Sequence, residues 1–159
     1  NNFYVLSFHK LVPPALKVLL EDQDTEIDGF LLPGHVSTII GLKPYLFLAS
    51  EYQMPAVISG FEPLDILQAI LLMIRQKNSG QPEVVNNYKR AVADNGNPRA
   101  RQVMDEVFEI TDASWRGIGT IPQSGLGLNE DYEQLDGFKA LDITLRDVPP
   151  FLDAGVVMY

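Results

Sequence analysis

Apolar residues fall in short blocks along the first half of this chain, and each block breaks into a polar loop bearing glycine or proline. Residues 3–8 (Phe-Tyr-Val-Leu-Ser-Phe) are aromatic and β-branched, which predicts a strand; Pro13-Pro14 and the spacing of Ala15, Leu16, Val18, Leu19 and Leu20 predict a helix after it. A second apolar run, 27–32, stops at Pro33-Gly34. Two short helical pieces are expected next, over 36–40 and 45–52, divided by Gly41 and Pro44. The third run, 56–59, leads to Pro63, whose missing N–H suits the first turn of a helix. That helix should continue to about Lys77, where Gly80 and Pro82 stop it. Its most continuous apolar stretch, 66–74, reads as a buried helix, because it contains Gln68 and falls short of the ~20 apolar residues that span a bilayer.

Strands near Val5, Leu31 and Ile58 with helices between them predict an α/β fold, a parallel sheet of βαβ units with helices on both faces. Right-handed crossovers would send all three strand ends to one edge. Past Gly80 the pattern weakens. Residues 82–92 read as either helix or extended connector, Asn95-Gly-Asn-Pro98 as a turn, and 99–108 as a helix with Val103, Met104, Val107 and Phe108 on one face. From Ala113 onward glycine and proline predict a smaller, loop-rich α+β subregion with one or two short strands, in which Ser124 reads as a turn residue. The resulting division is a core over 1–80, a helical connector over 81–112, the subregion over 113–148 and an atypical tail over 149–159.

Composition narrows the chemistry. The 159 residues suffice for one ordinary domain, and 46% hydrophobic against 21% charged residues is the balance of a globular chain. A net charge of -9, spread over several segments, argues against a general nucleic-acid binder and for a solvated exterior. No signal segment opens the chain, and Asn1 is not an initiator methionine, so the start reads as a cut or a processed end. The absence of cysteine excludes disulfides, thiol catalysis and thiolate-held zinc or iron–sulfur groups within these residues, and is compatible with a cytoplasmic location.

The predicted topology gathers His9 with Lys10, His35 with Ser37, and Glu62 with Asp65 at one crevice, where ligands of open α/β sheets bind. Two imidazoles and carboxylates are feasible ligands for zinc or iron. The same residues also have plain structural readings: His9 bonding backbone at a strand end, Ser37 capping a helix, Asp65 favouring a helix first turn. A hydrolase elbow and nucleotide-binding loops are missing, and Trp115-Arg116 reads as a stacked pair in an aromatic cluster.

Two longer motifs, Pro33-Gly-His-Val-Ser37 with Gly41 and Pro55-Ala-Val-Ile-Ser-Gly-Phe-Glu-Pro-Leu-Asp65, closely resemble the hydrogenase formation family HypD. Ser7-Phe-His-Lys10, Asn86 with Tyr88 and Arg90, Gly96-Asn97, Trp115-Arg-Gly117 and Ser124-Gly-Leu126 follow in that family's order, so the resemblance covers roughly residues 3–147. It implies a cytoplasmic maturation factor for nickel–iron hydrogenases. Such a factor works with the small partner HypC and other maturation proteins as a scaffold for an iron centre carrying cyanide and carbon monoxide, and is not a conventional turnover enzyme. The matching cleft positions are His35, Ser37, Glu62 and Asp65, with His9 in a strand-end motif. The family's iron-binding cysteine and the cysteines of its four-iron four-sulfur cluster have no counterpart here, which implies a central fragment holding no cluster of its own. Two other readings stand beside this one: an enzyme domain with Glu62 or Asp65 as general base on an anionic substrate, and a plain protein-interaction module.

Overall fold

A computed structural model describes residues 2–22 and 26–144. The described residues form two compact units, one from residues 22 and 26–103 and the other from residues 2–21 and 104–144. The tail over 149–159 lies outside the described residues.

The first unit is the α/β body. Its strands β1 (Phe30–Pro33), β2 (Ala56–Ser59) and β3 (Val84–Asn86) form a parallel sheet in the order β1-β2-β3, with Phe30 opposite Ala56 and Ala56 opposite Val84. Strand β2 is central and wholly buried, as its uninterrupted Ala-Val-Ile-Ser sequence requires in a parallel sheet covered on both sides. Helix α1 (Val12–Glu21) belongs to the second unit; helices α2 (Gly34–Ile40), α3 (Phe47–Ser50) and α4 (Pro63–Ser79) belong to the first, with a 3-10 turn at Lys43–Tyr45. Helices α2 and α4 flank the sheet. Tyr45, Leu48, Val57 and Ile58 are fully buried and make the centre of the core. Helix α4 starts on Pro63 as expected, and Gly80 stops it in the left-handed conformation at φ 64°, which glycine alone adopts without strain.

Two expectations fail here. Residues 3–8 do not enter this sheet; Val5 instead makes an isolated parallel bridge to Asp136, with Val5 N–H donating to the Leu135 carbonyl at 2.8 Å and Gly137 N–H to the Val5 carbonyl at 2.9 Å. Local strand preference was satisfied by a partner far away in sequence, and the third strand is β3, three residues inside the ambiguous stretch 82–92. Nor is α4 a buried helix. Only Asp65, Ala69 and Gln76 of its 17 residues are buried, while Leu64, Leu67, Leu71 and Ile74 face water.

In the second unit, α5 (Pro98–Val107), which begins in the first, runs directly into β4 (Phe108–Trp115). Strand β4 pairs antiparallel with β5 (Gly119–Leu128) through a bulge near Asp112, and α1 packs on β5. The hairpin is longer than the short strands expected and begins before Ala113. Ser124 is no turn residue: it is fully buried in β5, donates to the Ile121 carbonyl at 2.7 Å and accepts from the Trp115 indole N–H at 2.7 Å. A last helix, α6 (Gly137–Ala140), is capped by the Asp136 carboxylate, which accepts from the Phe138 and Lys139 N–H groups. Among the described residues no helix is long and apolar enough to cross a membrane.

Candidate functional site

Because the three strands of the first unit are parallel neighbours, the segments following Pro33, Ser59 and Asn86 leave from the same edge of the sheet. Each contributes one part of a tight polar cluster.

The part after β3 was not anticipated as a site. Asn87 N–H donates to the Ile58 carbonyl at 3.0 Å, prolonging the β2–β3 register by one residue, and the Asn86 side chain holds the turn by accepting from Tyr88 N–H and donating to the Val92 carbonyl. This turn lays the Tyr88 ring across the other two loops. A Cβ placed on Gly34 would come within 2.7 Å of Tyr88 Cδ1, and one on Gly60 within 2.7 Å of Tyr88 Cε2. Contacts under 3.0 Å do not occur for real Cβ atoms, so both loops need glycine for close approach and not for an unusual backbone angle. The Arg90 guanidinium then sits 4.4 Å from the centre of the Tyr88 ring, in cation–π range.

Arg90 is the hub. Its Nη1 donates to Asp65 Oδ1 at 2.8 Å, and its Nη2 donates to Asp65 Oδ2 and to Glu62 Oε2, the latter at 2.5 Å. The Asp65 side chain is 9% exposed, whereas those of Arg90 and Glu62 are 54% and 67% exposed. A buried carboxylate held in a fork geometry by guanidinium is stabilised in its charged form. The Arg90 hydrogen bonds, with a smaller contribution from Glu62, accordingly hold Asp65 at a pKa of about 2, although burial opposes them. The same contacts raise the Arg90 guanidinium further above its ordinary value. Asp65 also offers its backbone carbonyl to the Asn87 side chain at 3.3 Å.

The other anticipated residues fall unevenly around this cluster. His35 is exposed in the first turn of α2, with its ring 5.1 Å from that of Phe61, which precedes Glu62; the ring pair joins the β1 loop to the β2 loop. Ser37 is fully buried and donates to the Pro33 carbonyl at 2.8 Å, so it closes the first turn of α2 from inside and is not its cap, the cap position being Pro33. Burial raises the Tyr45 hydroxyl above its usual pKa of 10.0, while Ser37 partly offsets the shift. His9 is in the second unit, where its Nδ1 lies 3.0 Å from Ser7 Oγ and its ring meets Phe108 edge-on at 5.2 Å. The strand meant to deliver His9 to the sheet edge does not form there, so the sheet topology unites His35, Glu62 and Asp65 but not His9. Arg90 and Tyr88 carried one signal in the sequence, their place in the resemblance, and neither was given a role.

Among the described residues no group of three or more His, Cys, Asp or Glu side chains is arranged to hold a metal ion. The chemistry of the donors gives the same direction for an iron–sulfur cluster, since cluster irons take thiolates and the chain has no cysteine. What the arrangement offers is a fixed, doubly anionic and singly cationic rim above a glycine-packed aromatic floor.

The polar cluster lies at the carboxyl edge of a parallel sheet, the edge at which ligands of open α/β sheets bind. The model of the HypD family, described as "Hydrogenase formation hypA family", matches residues 1–151, and the chain belongs to that family. It is similar to hydrogenase maturation factor HypD2 of Bradyrhizobium diazoefficiens, 46% identical over 99% of this chain and 44% of that protein. It is also similar to a putative hydrogenase expression/formation protein of Methanocaldococcus jannaschii, 44% identical over 90% of this chain and 40% of the relative. The HypD of Escherichia coli is 45% identical over 86% of this chain and 37% of its own length. The chain thus spans about two-fifths of the length of these relatives.

Proposed function

We propose that this chain forms part of a scaffold for hydrogenase maturation, on which an iron centre bearing cyanide and carbon monoxide is assembled for nickel–iron hydrogenase in concert with HypC. Membership of the HypD family carries the reading. In it the iron with its diatomic ligands is cargo. The residues of this chain supply one wall of the compartment: Glu62 and Arg90 as exposed polar groups, His35 on the neighbouring loop, and buried Asp65 as the anchor that fixes Arg90. The cysteines that would hold the cargo lie elsewhere in the family polypeptide. A cytoplasmic location and partnership with other maturation proteins belong to the same proposal.

The general-base alternative is weakened at Asp65. A base operating near neutrality needs a pKa near the working pH, whereas Arg90 holds Asp65 at about 2. Iron titration of the chain followed by isothermal calorimetry, together with a pull-down by HypC, tests the scaffold reading. The expected result is retention of HypC, lost in Glu62→Lys, without tight stoichiometric iron binding. A tight iron site abolished by His35→Ala would overturn it in favour of an autonomous metal site.

A further inference from the structure

Helix α4 leaves more of its large apolar side chains in water than it covers. Asp65, Ala69 and Gln76 are buried, with Leu72 and Met73 half-buried, and Gln76 accepts Glu83 N–H on its side-chain carbonyl at 2.7 Å. The stripe turned to water is Leu64, Leu67, Leu71 and Ile74, exposed by 65, 64, 45 and 52%, flanked by the less exposed Ile66 and Ile70. The first four are spaced three, four and three residues apart, and the isoleucines widen the face beyond a strict seam. An ordinary amphipathic helix turns such residues inward. The four side chains leave on the order of 400 Å² in water, within the range of about 300–600 Å² reached by the largest patches on monomers, which are often functional. Arg75, four residues after Leu71 on the edge of the stripe, has no ion-pair partner among the described residues.

We infer that the α4 stripe is the seat of an amphipathic helix from the part of the family polypeptide for which this chain has no counterpart. Three observations support that occupant. More than half of each relative described above lies outside its match to this chain, so the family supplies ample polypeptide to cover the stripe. Residues three and four apart along α4 form ridges of the kind that pack into the grooves of a second helix. The charge at the edge is a lone cation, which selects a docking helix with an acidic residue beside its own apolar seam. Helix α4 begins with Pro63 and Asp65, directly after Glu62, so the docked helix would brace the element that carries the Arg90 cluster.

The test compares Leu67→Glu/Leu71→Glu in two settings: the 159-residue chain, and a chimera in which this chain replaces the matching segment of the Bradyrhizobium HypD2. In the isolated chain the pair should leave Tm within about 2 °C and reduce binding of the dye ANS several-fold, because both side chains are in water. In the chimera the same pair should lower Tm by about 5 °C or more, while the control Leu67→Met/Leu71→Met changes little in either setting. Should the chimera not fold, the remaining HypD2 polypeptide expressed separately is to be captured by this chain, with capture kept in the Met pair and lost in the Glu pair. Equal tolerance of the Glu pair in both settings, or no capture, overturns the inference. So does a stable dimer of the isolated chain that the Glu pair dissociates, which would assign the stripe to a second copy.

Discussion

Replacing Gly60 by alanine should break the Arg90 cluster without replacing a charged residue. The new Cβ would overlap Asp65 Oδ2, lie 2.9 Å from Asp65 Cγ and lie 2.7 Å from Tyr88 Cε2. Gly60 has no positive φ, so the backbone itself accepts alanine and the cost is steric. Restoring ordinary van der Waals separation requires Asp65 Oδ2 to retreat by more than about 1 Å. The Nη1–Oδ1 bond is 2.8 Å long, and such a retreat carries it to or beyond the limit of a normal N–H···O bond, about 3.2 Å. Two quantities should then change together. Overpacking of this kind destabilises by about 1–3 kcal/mol, and Asp65, losing its fork of donors, should titrate in the ordinary carboxylate range and no longer at about 2.

The sign follows from linkage. A carboxyl whose folded pKa is about 2, against an ordinary 3.8, contributes stability that is complete above about pH 4 and lost as the pH falls toward 2. Gly60→Ala should flatten that part of the stability–pH curve. Urea unfolding between pH 2 and 5, with the Asp65 carboxyl followed by NMR, measures both changes, and Arg90→Met closes a double-mutant cycle. If the alanine acts through the cluster, the two substitutions will be strongly non-additive. Additive effects, or an Asp65 still titrating near 2 in Gly60→Ala, would refute the steric argument.

Other consequences are simpler. Leu48→Ala removes a fully buried side chain and should cost about 2–5 kcal/mol in denaturant unfolding, without altering the Asp65 titration. Tyr45, raised above 10.0 by burial, contributes stability present below about pH 10 and lost as the pH climbs through its folded pKa; Tyr45→Phe should therefore lessen the alkaline loss in a pH-dependent melt. Asp136→Ala removes the acceptor of two N–H groups at the start of α6 and should destabilise the second unit by about 0.5–2 kcal/mol, read as faster amide exchange over Gly137–Ala140.

The elements that were legible had punctuation on both sides. Ala56–Ile58 is an apolar run with Ser59 after it, set between Pro55 and Gly60, and Pro63–Ser79 opens on a proline suited to a first turn and is followed by a glycine suited to a stop. The α/β class followed from those two and from Phe30–Pro33. Strand β3 has three residues, too few for any period to emerge, and residues 3–8 have strand composition but a partner near Asp136 that no local pattern announces. The outward stripe of α4 is not legible in sequence, because hydropathy records that residues are apolar and not what covers them. At the site, Glu62 and Asp65 were readable as acids at a helix start. Arg90 was not, since its role depends on the β2–β3 register carrying a residue 25 positions distant back onto Asp65.

One aromatic ring touching glycines of two different loops makes Gly34, Gly60 and Tyr88 a single heritable unit. A methyl group at Gly34 meets the Ser59 carbonyl as well as the ring, and one at Gly60 meets the Asp65 carboxylate as well as the ring, so neither fits unless the ring tilts and that second neighbour moves, and a tilted ring withdraws the surface on which the Arg90 guanidinium rests. Drift at any of the three positions is therefore paid for at the other two. Homologous sequences should explore this corner in coordinated steps, substitutions arriving in company or not at all, while neighbouring surface positions such as Lys89 vary freely.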